Sequence, residues 1–497
     1  MDGYQEAEWE KAQAIGISCD LVAAAKYHLE FLALVGQYPC LYRGPAVQRA
    51  IYRYEHCWLP LLANSEAKED LLPPLDCEWV WHCHRLNPLQ YASYCHEFYG
   101  RLLPATTRLP CEKDSAMNAA AKLWEKAFPD EPISLDLDAF SCTKDNRSSI
   151  HQHYLTEAIT KQRSFFQQVS SPYMSDERFL RVAEQRYRAF LHLIKKSKSS
   201  HVPTHDIELI WRSHQLNPQI YANDTVELLG EVLQHYNITS TATTGARFPE
   251  TTKQWENTFG RRYMRAGPMQ LHTTQQSPSA QESMEIRLEI VRARHLRKEK
   301  GTLFVRYYIQ TASGVITKNS KEVPAASNPE WGEAFSLECK GNGSLVSELQ
   351  SQFLGFEVRW RSQSLWGNMR GGSKLLASVK IAWKDLLESS CLSLEKWFPL
   401  SVEGEVKGEW KPPSMHIALS ATPPTSVPSV EKTILPAAGR DSGPHSMKSF
   451  SSSENVERRR RRLERDECSC RGQICNAHSF EGMFPSATSF RDAAWGV

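Results

Sequence analysis

72-LPPLDCEWVWHCHRLNPLQYASYC-95 and 202-VPTHDIELIWRSHQLNPQIYANDT-225 are two versions of one segment, set 130 residues apart. Ten of the 24 aligned positions are identical: Pro73/Pro203, Asp76/Asp206, Glu78/Glu208, Trp81/Trp211, His84/His214, Leu86/Leu216, Asn87/Asn217, Pro88/Pro218, Tyr91/Tyr221 and Ala92/Ala222. A chain that repeats itself supplies its own comparison, because chemistry shared by both copies demands its residues in both.

Much of the shared set is helix-end chemistry. Asp76 and Asp206 stand before an apolar helical stretch, where a carboxylate accepts the free amide hydrogens of a first turn. Asn87-Pro88 and Asn217-Pro218 read as an N-cap followed by a first-position proline. Leu86 with Tyr91, and Leu216 with Tyr221, fall at the positions of a hydrophobic staple around that cap. The repeat predicts two helices meeting at a sharp corner, in both copies.

The histidines of 81-WHCHR-85, with Cys83 and Cys95 nearby, invite a zinc reading. Helical geometry opposes it, since His82 and His84 point to nearly opposite sides of the axis. Cys77 and His84 share a face but stand about 10 Å apart along it. In the second copy Cys77, His82 and Cys83 become Ile207, Arg212 and Ser213, and His84 alone survives as His214. The Trp–His pair reads best as structural, with ring hydrogen bonds inside a core. A metal-dependent or catalytic role for His84 and His214 stays open as an alternative. No cofactor is called for.

Outward from the repeat, residues 18–266 read as one α-helical domain of two related halves, about 18–130 and 150–266. Ser18 or Asp20 can cap an amphipathic helix carrying Leu21, Ala25, Leu29, Leu32 and Val35. Val47–Leu62 and Arg178–Ile194 are further amphipathic stretches, each ahead of a repeat copy. Trp124-Glu125 and Trp255-Glu256, each with a phenylalanine three residues after the glutamate, follow the copies at an offset of 131 residues. Residues 1–17 read as an N-terminal extension and 267–283 as a polar linker. From 284 to 421 the period changes to two, with short β-branched and aromatic runs between Gly, Asn and Pro, which predicts an antiparallel β-sandwich. Residues 422–497 are Pro/Ser-rich with an arginine run at 458–462, the composition of a disordered tail. The fold class is thus α+β and multidomain.

The bulk composition limits function. In 497 residues the net charge is +2, so binding to nucleic acid or an anionic membrane has to be local rather than global. The N-terminus lacks an apolar core, which argues against a signal peptide, and no run is long enough for a membrane span. Thirteen cysteines without framework spacing read as reduced thiols of the cytosol or nucleus.

The doubled D-x-x-x-x-W-x-x-H-x-L-N-P-x-x-Y signature and the W-E-x-x-F echo resemble the plant glycine-rich domain proteins, from about residue 18 to 420. That resemblance implies a helical N-terminal region with no established catalysis, a C2 domain, and association with abiotic-stress, hormone and developmental responses. It also implies a further globular region and a glycine-rich C-terminus, neither of which is evident in a chain with 25 glycines. Ser327-Asn328-Pro329-Glu330-Trp331 resembles the turn before the fourth C2 strand. The loops ARHLRKEKGT and RWRSQSLWGN hold no aspartate, so calcium-independent behaviour is expected, because Ca²⁺ takes several anionic oxygens.

Those loops are basic instead: Arg292, Arg294, Arg297, Lys298, Lys300, Arg359 and Arg361 are candidates for binding anionic lipid, with Trp360, Leu365 and Trp366 beside them. Residues 283–421 carry 19 Lys and Arg against 15 Asp and Glu. Each charge near an anionic surface contributes about 1 kcal/mol. Solvated loops are the plain alternative. A competing motif, Lys300-Gly301-Thr302-Leu303-Phe304-Val305-Arg306-Tyr307, matches five of eight positions of the RNA-recognition octamer. Lys300, Gly301, Phe304, Val305 and Tyr307 are its candidate RNA-binding residues, although Thr302 stands where a stacking aromatic belongs. The resulting expectation is a non-enzymatic cytoplasmic adaptor with protein partners, peripheral on anionic membranes.

Overall fold

The computed structural model describes residues 3–64, 71–104, 113–135, 137, 152–197, 199, 201–234, 241–267, 282–297, 300–311, 314–341, 344–362, 372–402 and 411–426. The expected linker and tail lie almost wholly outside these residues, as do Lys298, Leu365 and Trp366.

Helices α1 (Gly3–Gln13), α2 (Leu21–Gly36), α3 (Pro45–Arg53) and α4 (Leu59–Asn64) lead into the first repeat copy. That copy is α5 (Leu75–Arg85) followed by α6 (Pro88–Tyr99), and α7 (Lys113–Ala127) closes the half. The second half runs α8 (Gln152–Val169), α9 (Glu177–Ser197), α10 (His205–Gln215), α11 (Pro218–Leu229) and α12 (Thr241–Phe259). The corners form as the repeat implies. Asn87 caps α6 by accepting from the Gln90 amide at 3.3 Å, and Asn217 caps α11 from Ile220 at 3.4 Å. Both second helices stop at a left-handed glycine, Gly100 (φ 68°) and Gly230 (φ 86°), a conformation that penalises any side chain. Asp20, rather than Ser18, caps α2.

Two features differ from the sequence expectation. Residues 3–13 form a helix instead of an extension, because Trp9 packs its ring edge against Trp255 (6.3 Å) and Phe259 (5.8 Å) of the second half. The stretch from 45 to 64 is not one regular helix. A π-helical turn at Tyr54–Trp58 joins α3 to α4, with the Leu59 amide reaching back five residues to Tyr54. Pro60, which has no amide hydrogen, follows directly after that widened turn. The helices of both halves share one apolar core, into which Trp58, Trp79, Trp81, Trp124, Trp211 and Trp255 are fully buried.

The strands are β1 (Glu282–Arg294), β2 (Thr302–Thr311), β3 (Gly314–Asn319), β4 (Val323–Pro324), β5 (Glu330–Gly341), β6 (Phe353–Arg361), β7 (Lys374–Ala382), β8 (Ser393–Pro399), β9 (Ser401–Val402), β10 (Ser414–Ala421) and β11 (Thr425–Ser426). Short helices α13 (Leu345–Leu349) and α14 (Trp383–Leu387) cross between them. One antiparallel sheet runs β5–β1–β10–β8, with β11 beside the start of β1. The other runs β3–β2–β6–β7–β9, with β4 beside the start of β2. Alternate residues of the two sheets, such as Ile286, Leu288, Ile290, Val305, Tyr307, Phe356 and Val358, meet in a second core. Among the described residues no helix is long and apolar enough to cross a membrane.

The helical domain docks on the outer face of the first sheet. Arg262 is the hub: its Nη1 meets Glu256 at 2.6 Å in the helical domain. Across the junction its Nη2 and Nε approach Glu289 and Glu395, each at 3.4 Å, and its amide donates to Glu395 at 3.0 Å. The Ala266 amide donates to Ser420 Oγ at 2.9 Å.

Candidate functional site

The repeat residues are drawn together around a buried arginine in each half. Arg53 Nε donates to Asp76 Oδ2 at 2.7 Å, and Arg186 Nε donates to Asp206 Oδ2 at 2.6 Å. Arg53 also reaches Glu131 Oε1 and the Ile133 carbonyl, both at 2.6 Å, while Arg186 reaches Thr204 Oγ1 (3.0 Å) and the Tyr263 carbonyl (2.9 Å). Each guanidinium lies over the tryptophan of the closing helix, Arg53 at 4.9 Å from Trp124 and Arg186 at 5.2 Å from Trp255. Asp76 and Asp206 therefore sit inside the first turns of α5 and α10 and pair with arginines; Pro74 and Thr204 hold the cap positions. Burial pushes the Asp206 carboxyl up, but Arg186 and the Thr204 hydroxyl outweigh it and hold the group below the usual carboxylate range.

A second layer is equally duplicated. The tyrosine after each arginine bonds the repeat histidine: Tyr54 Oη to His84 Nδ1 at 2.9 Å, and Tyr187 Oη to His214 Nδ1 at 3.1 Å. Trp81 Nε1 donates to Tyr91 Oη (3.0 Å) and Trp211 Nε1 to Tyr221 Oη (2.8 Å). Those tyrosines donate onward to the carbonyls of Leu103 and Leu233. The copies differ beyond this. His214 Nε2 lies 3.1 Å from Asp224 Oδ2, whose carboxylate also accepts from the Ser18 amide and hydroxyl. A carboxylate only accepts, so Nε2 carries a proton and donates it to Asp224. At the position matching Asp224, the first half has Tyr94, edge-on to His84 at 5.2 Å.

This is no hydrolase triad, because Ser18 donates to the carboxylate and not to the imidazole. Burial, with Asp224 and Asp20, pushes the Cys19 thiol up to about 11, and burial lifts Cys77 and Cys83 well above the ordinary thiol range, so none is an activated nucleophile. Among the described residues no three His, Cys, Asp or Glu are grouped to hold a metal ion. The residues that differ between copies face the junction of the halves. His28 Nδ1 meets Ser213 Oγ at 3.0 Å, the His28 and His82 rings lie 4.9 Å apart, and Arg85 donates to the Leu216 carbonyl at 3.0 Å.

The basic residues of the sandwich do not form one patch. Arg359 is tied to Glu357 (2.7 Å) and Ser373, and Arg361 pairs with Glu322 beneath the Phe304 ring. Both lie on β6 of the second sheet, neutralised by nearby acids of that sheet. Arg297 and Lys300 are exposed in the β1–β2 loop. Arg292 and Arg294 share the outer face of the first sheet, where an irregularity between Ile290 and Arg292 turns both outward; Arg292 lies 3.6 Å from Glu330, and Arg294 donates to Ser414 Oγ at 2.7 Å. Directly opposed across four strands stand Glu330, Arg292, His416 and Trp397. Arg292 and Arg294 lie 5.5 and 4.2 Å from the Trp397 ring, and His416 stacks on it at 5.3 Å. Burial, then Arg262 and Arg292, push His416 down to about 4, so it is neutral at pH 7. Trp397 and His416 complete a cationic–aromatic face that the sequence reading missed; Phe398, buried beside Trp397, is the signal for Trp397 pointing outward.

The octamer at 300–307 offers no stacking platform. Phe304, Val305 and Tyr307 are buried, at 2%, 0% and 0% exposure. Gly301 has a packing reason: a Cβ there would come within 2.2 Å of the Arg361 carbonyl oxygen.

Comparison with known proteins follows the same division. The family of "Glycine-rich domain-containing protein-like" regions matches residues 2–93 and 90–224, and the "C2 domain of glycine-rich domain-containing protein" matches residues 280–423. Glycine-rich domain-containing proteins 1 and 2 of Arabidopsis thaliana are each 36% identical over 86% of this chain. The chain spans 56% and 57% of their lengths. Among solved structures, a C2 domain of plant extended synaptotagmin 1 is 20% identical, covering 28% of this chain and 94% of that one at a TM-score of 0.21. The portion of extended synaptotagmin 2 that carries its SMP domain and two C2 domains is 17% identical over 29% of each chain, at 0.22. With its helical region and its sandwich both matched by the same family, the chain belongs to the glycine-rich domain-containing proteins.

Proposed function

We propose that the chain is a non-enzymatic adaptor whose sandwich binds anionic membrane surfaces without calcium while its helical domain, docked on that sandwich, presents a rigid protein-binding scaffold. The observation that carries the membrane reading is the Arg292–Trp397–Arg294 face, where two exposed guanidiniums flank a half-buried indole at the headgroup level. The non-enzymatic reading rests on the duplicated histidines: both rings are buried, and both Nδ1 atoms are engaged by tyrosine. Cytoplasmic placement rests on thirteen cysteines without framework spacing, and a role in plant stress, hormone or developmental signalling on what the family resemblance implies. The test is sedimentation with phosphatidylserine vesicles at low salt. Wild type should pellet and Arg292→Glu/Arg294→Glu should stay in the supernatant. Equal pelleting of both would dismiss this face as the membrane site.

A further inference from the structure

Two guanidiniums at the junction between helical domain and sandwich form no ion pair within 4 Å among the described residues, although Asp206 attracts Arg265 at longer range. Arg265, beyond the end of α12, donates to the Cys391 carbonyl, and Arg178, at the start of α9, donates to the Leu387 carbonyl at 3.1 Å. Both line one partly open cavity of about 20 Å³, with Phe179, Val182 and Leu392 among its apolar walls. The acidic group on that wall, Asp206, is already matched by Arg186 at 2.6 Å and by the Thr204 hydroxyl. The cavity therefore carries an excess of positive charge. Burial, reinforced by Arg186, pushes the Arg265 guanidinium down to about 10, as expected of a cation with too little counter-charge. Beside it opens a recess of about 400 Å³ that shares Arg178 and Val182 and adds Arg181, Gln185 and Ser390. Glu177 also lines that recess, with its carboxylate held by Lys26 and Arg181.

We propose that this junction is a binding site for a small oxyanion, phosphate or the terminal phosphate of a phosphomonoester, held between Arg178 and Arg265. A guanidinium carries five N–H donors, and each of these two spends a donor on a sandwich carbonyl, leaving others for a ligand. Charge-assisted bonds from two arginines suit a tetrahedral oxyanion. The inner cavity is about the size of one water, so the anion would sit at its mouth, where the recess accepts whatever the phosphate is attached to. Because both arginines also grip the sandwich, a bound anion ties the two domains together.

The experiment is calorimetric titration of the full chain with sodium phosphate at fixed ionic strength against a chloride blank, with thermal melting in parallel. Wild type should show saturable heat and a melting temperature that rises with phosphate. Arg265→Met and Arg178→Met should each weaken binding at least tenfold. Glycerol 3-phosphate and phosphatidic-acid vesicles, tested on the Arg292→Glu/Arg294→Glu background, separate a soluble phosphomonoester from a lipid headgroup, and Arg265-dependent binding of either supports the site. Wild-type heats equal to the chloride blank, or unchanged binding by Arg265→Met, would overturn it.

Discussion

Replacing Arg186 by Met tests the idea that each half is built around a buried ion pair. Methionine keeps an unbranched apolar stem against Trp255 but removes the donors to Asp206 (2.6 Å), Thr204 (3.0 Å) and the Tyr263 carbonyl (2.9 Å). Asp206 is 2% exposed and would keep the Thr204 hydroxyl as its side-chain partner. Breaking a buried pair from one side costs about 3–5 kcal/mol, because the remaining charge stays desolvated. For a domain of this size that lowers the melting temperature by about 6–10 °C. The double variant Arg186→Met/Asp206→Leu should recover more than half of the loss, since an apolar pair of similar volume carries no desolvation penalty. The pH dependence has a definite sign. In the wild type the Asp206 carboxyl sits below its ordinary value, so its contribution is full above about pH 4 and drains as the pH falls through the folded value. In the single variant the orphaned carboxyl favours a proton, so the deficit is largest at neutral pH and shrinks in acid. Urea denaturation followed by circular dichroism at pH 7 and pH 4 measures both effects. A single variant within about 1 kcal/mol of wild type, or a double variant no more stable than the single, would refute the reasoning.

Other expectations follow from the same geometry. His84→Ala and His214→Ala should each lower stability by about 2–4 kcal/mol, through a cavity and an orphaned tyrosine hydroxyl, while vesicle binding by the folded protein stays unchanged. Loss of vesicle binding without loss of stability would move the histidines from scaffold to function. Burial, then Arg212 and Arg85, push His28 down to about 3, and His82 also lies well below its ordinary value. Stability from these neutral rings is full above pH 6.5 and drains as the pH falls toward the folded values. Between pH 7.5 and 5 the loss should be about 2 kcal/mol per histidine. His28→Phe should flatten that dependence in urea titrations, and an unchanged slope would contradict it.

The local parts of this architecture were legible in the sequence. Asn87-Pro88 and Asn217-Pro218 name their own caps because both partners lie within one helical turn. The period-two runs after residue 283 likewise declare strands, since alternation is a property of each strand alone. The arginine centres were hidden by distance. Arg53 lies 23 residues before Asp76 on a helix broken by a π-turn, whereas Arg186 lies 20 residues before Asp206 on the unbroken α9. Their offset therefore differs from that of the repeat, and a fixed-register comparison passes over the shared Arg-Tyr dipeptide. Helix α1 lacked a continuous apolar face because it is held by Ala12, the half-buried Trp9 and the polar contacts of buried Glu8 with His192 and Lys196, and these partners lie far along the chain. The basic sandwich loops misled for a related reason. Counting charge along the chain does not pair it: the fold brings Glu322 onto Arg361, and Glu357 reaches Arg359 two residues along the same strand. The same counting misses Trp397, which strand pairing brings to Arg292 and Arg294.

The most direct test of the central claim is co-sedimentation of the full chain with phosphatidylserine vesicles in EGTA and in millimolar calcium. The account predicts equal pelleting in both, abolished by raising the salt concentration, as attraction through exposed guanidiniums requires. Pelleting that appears only with calcium, or none at low salt, would contradict it.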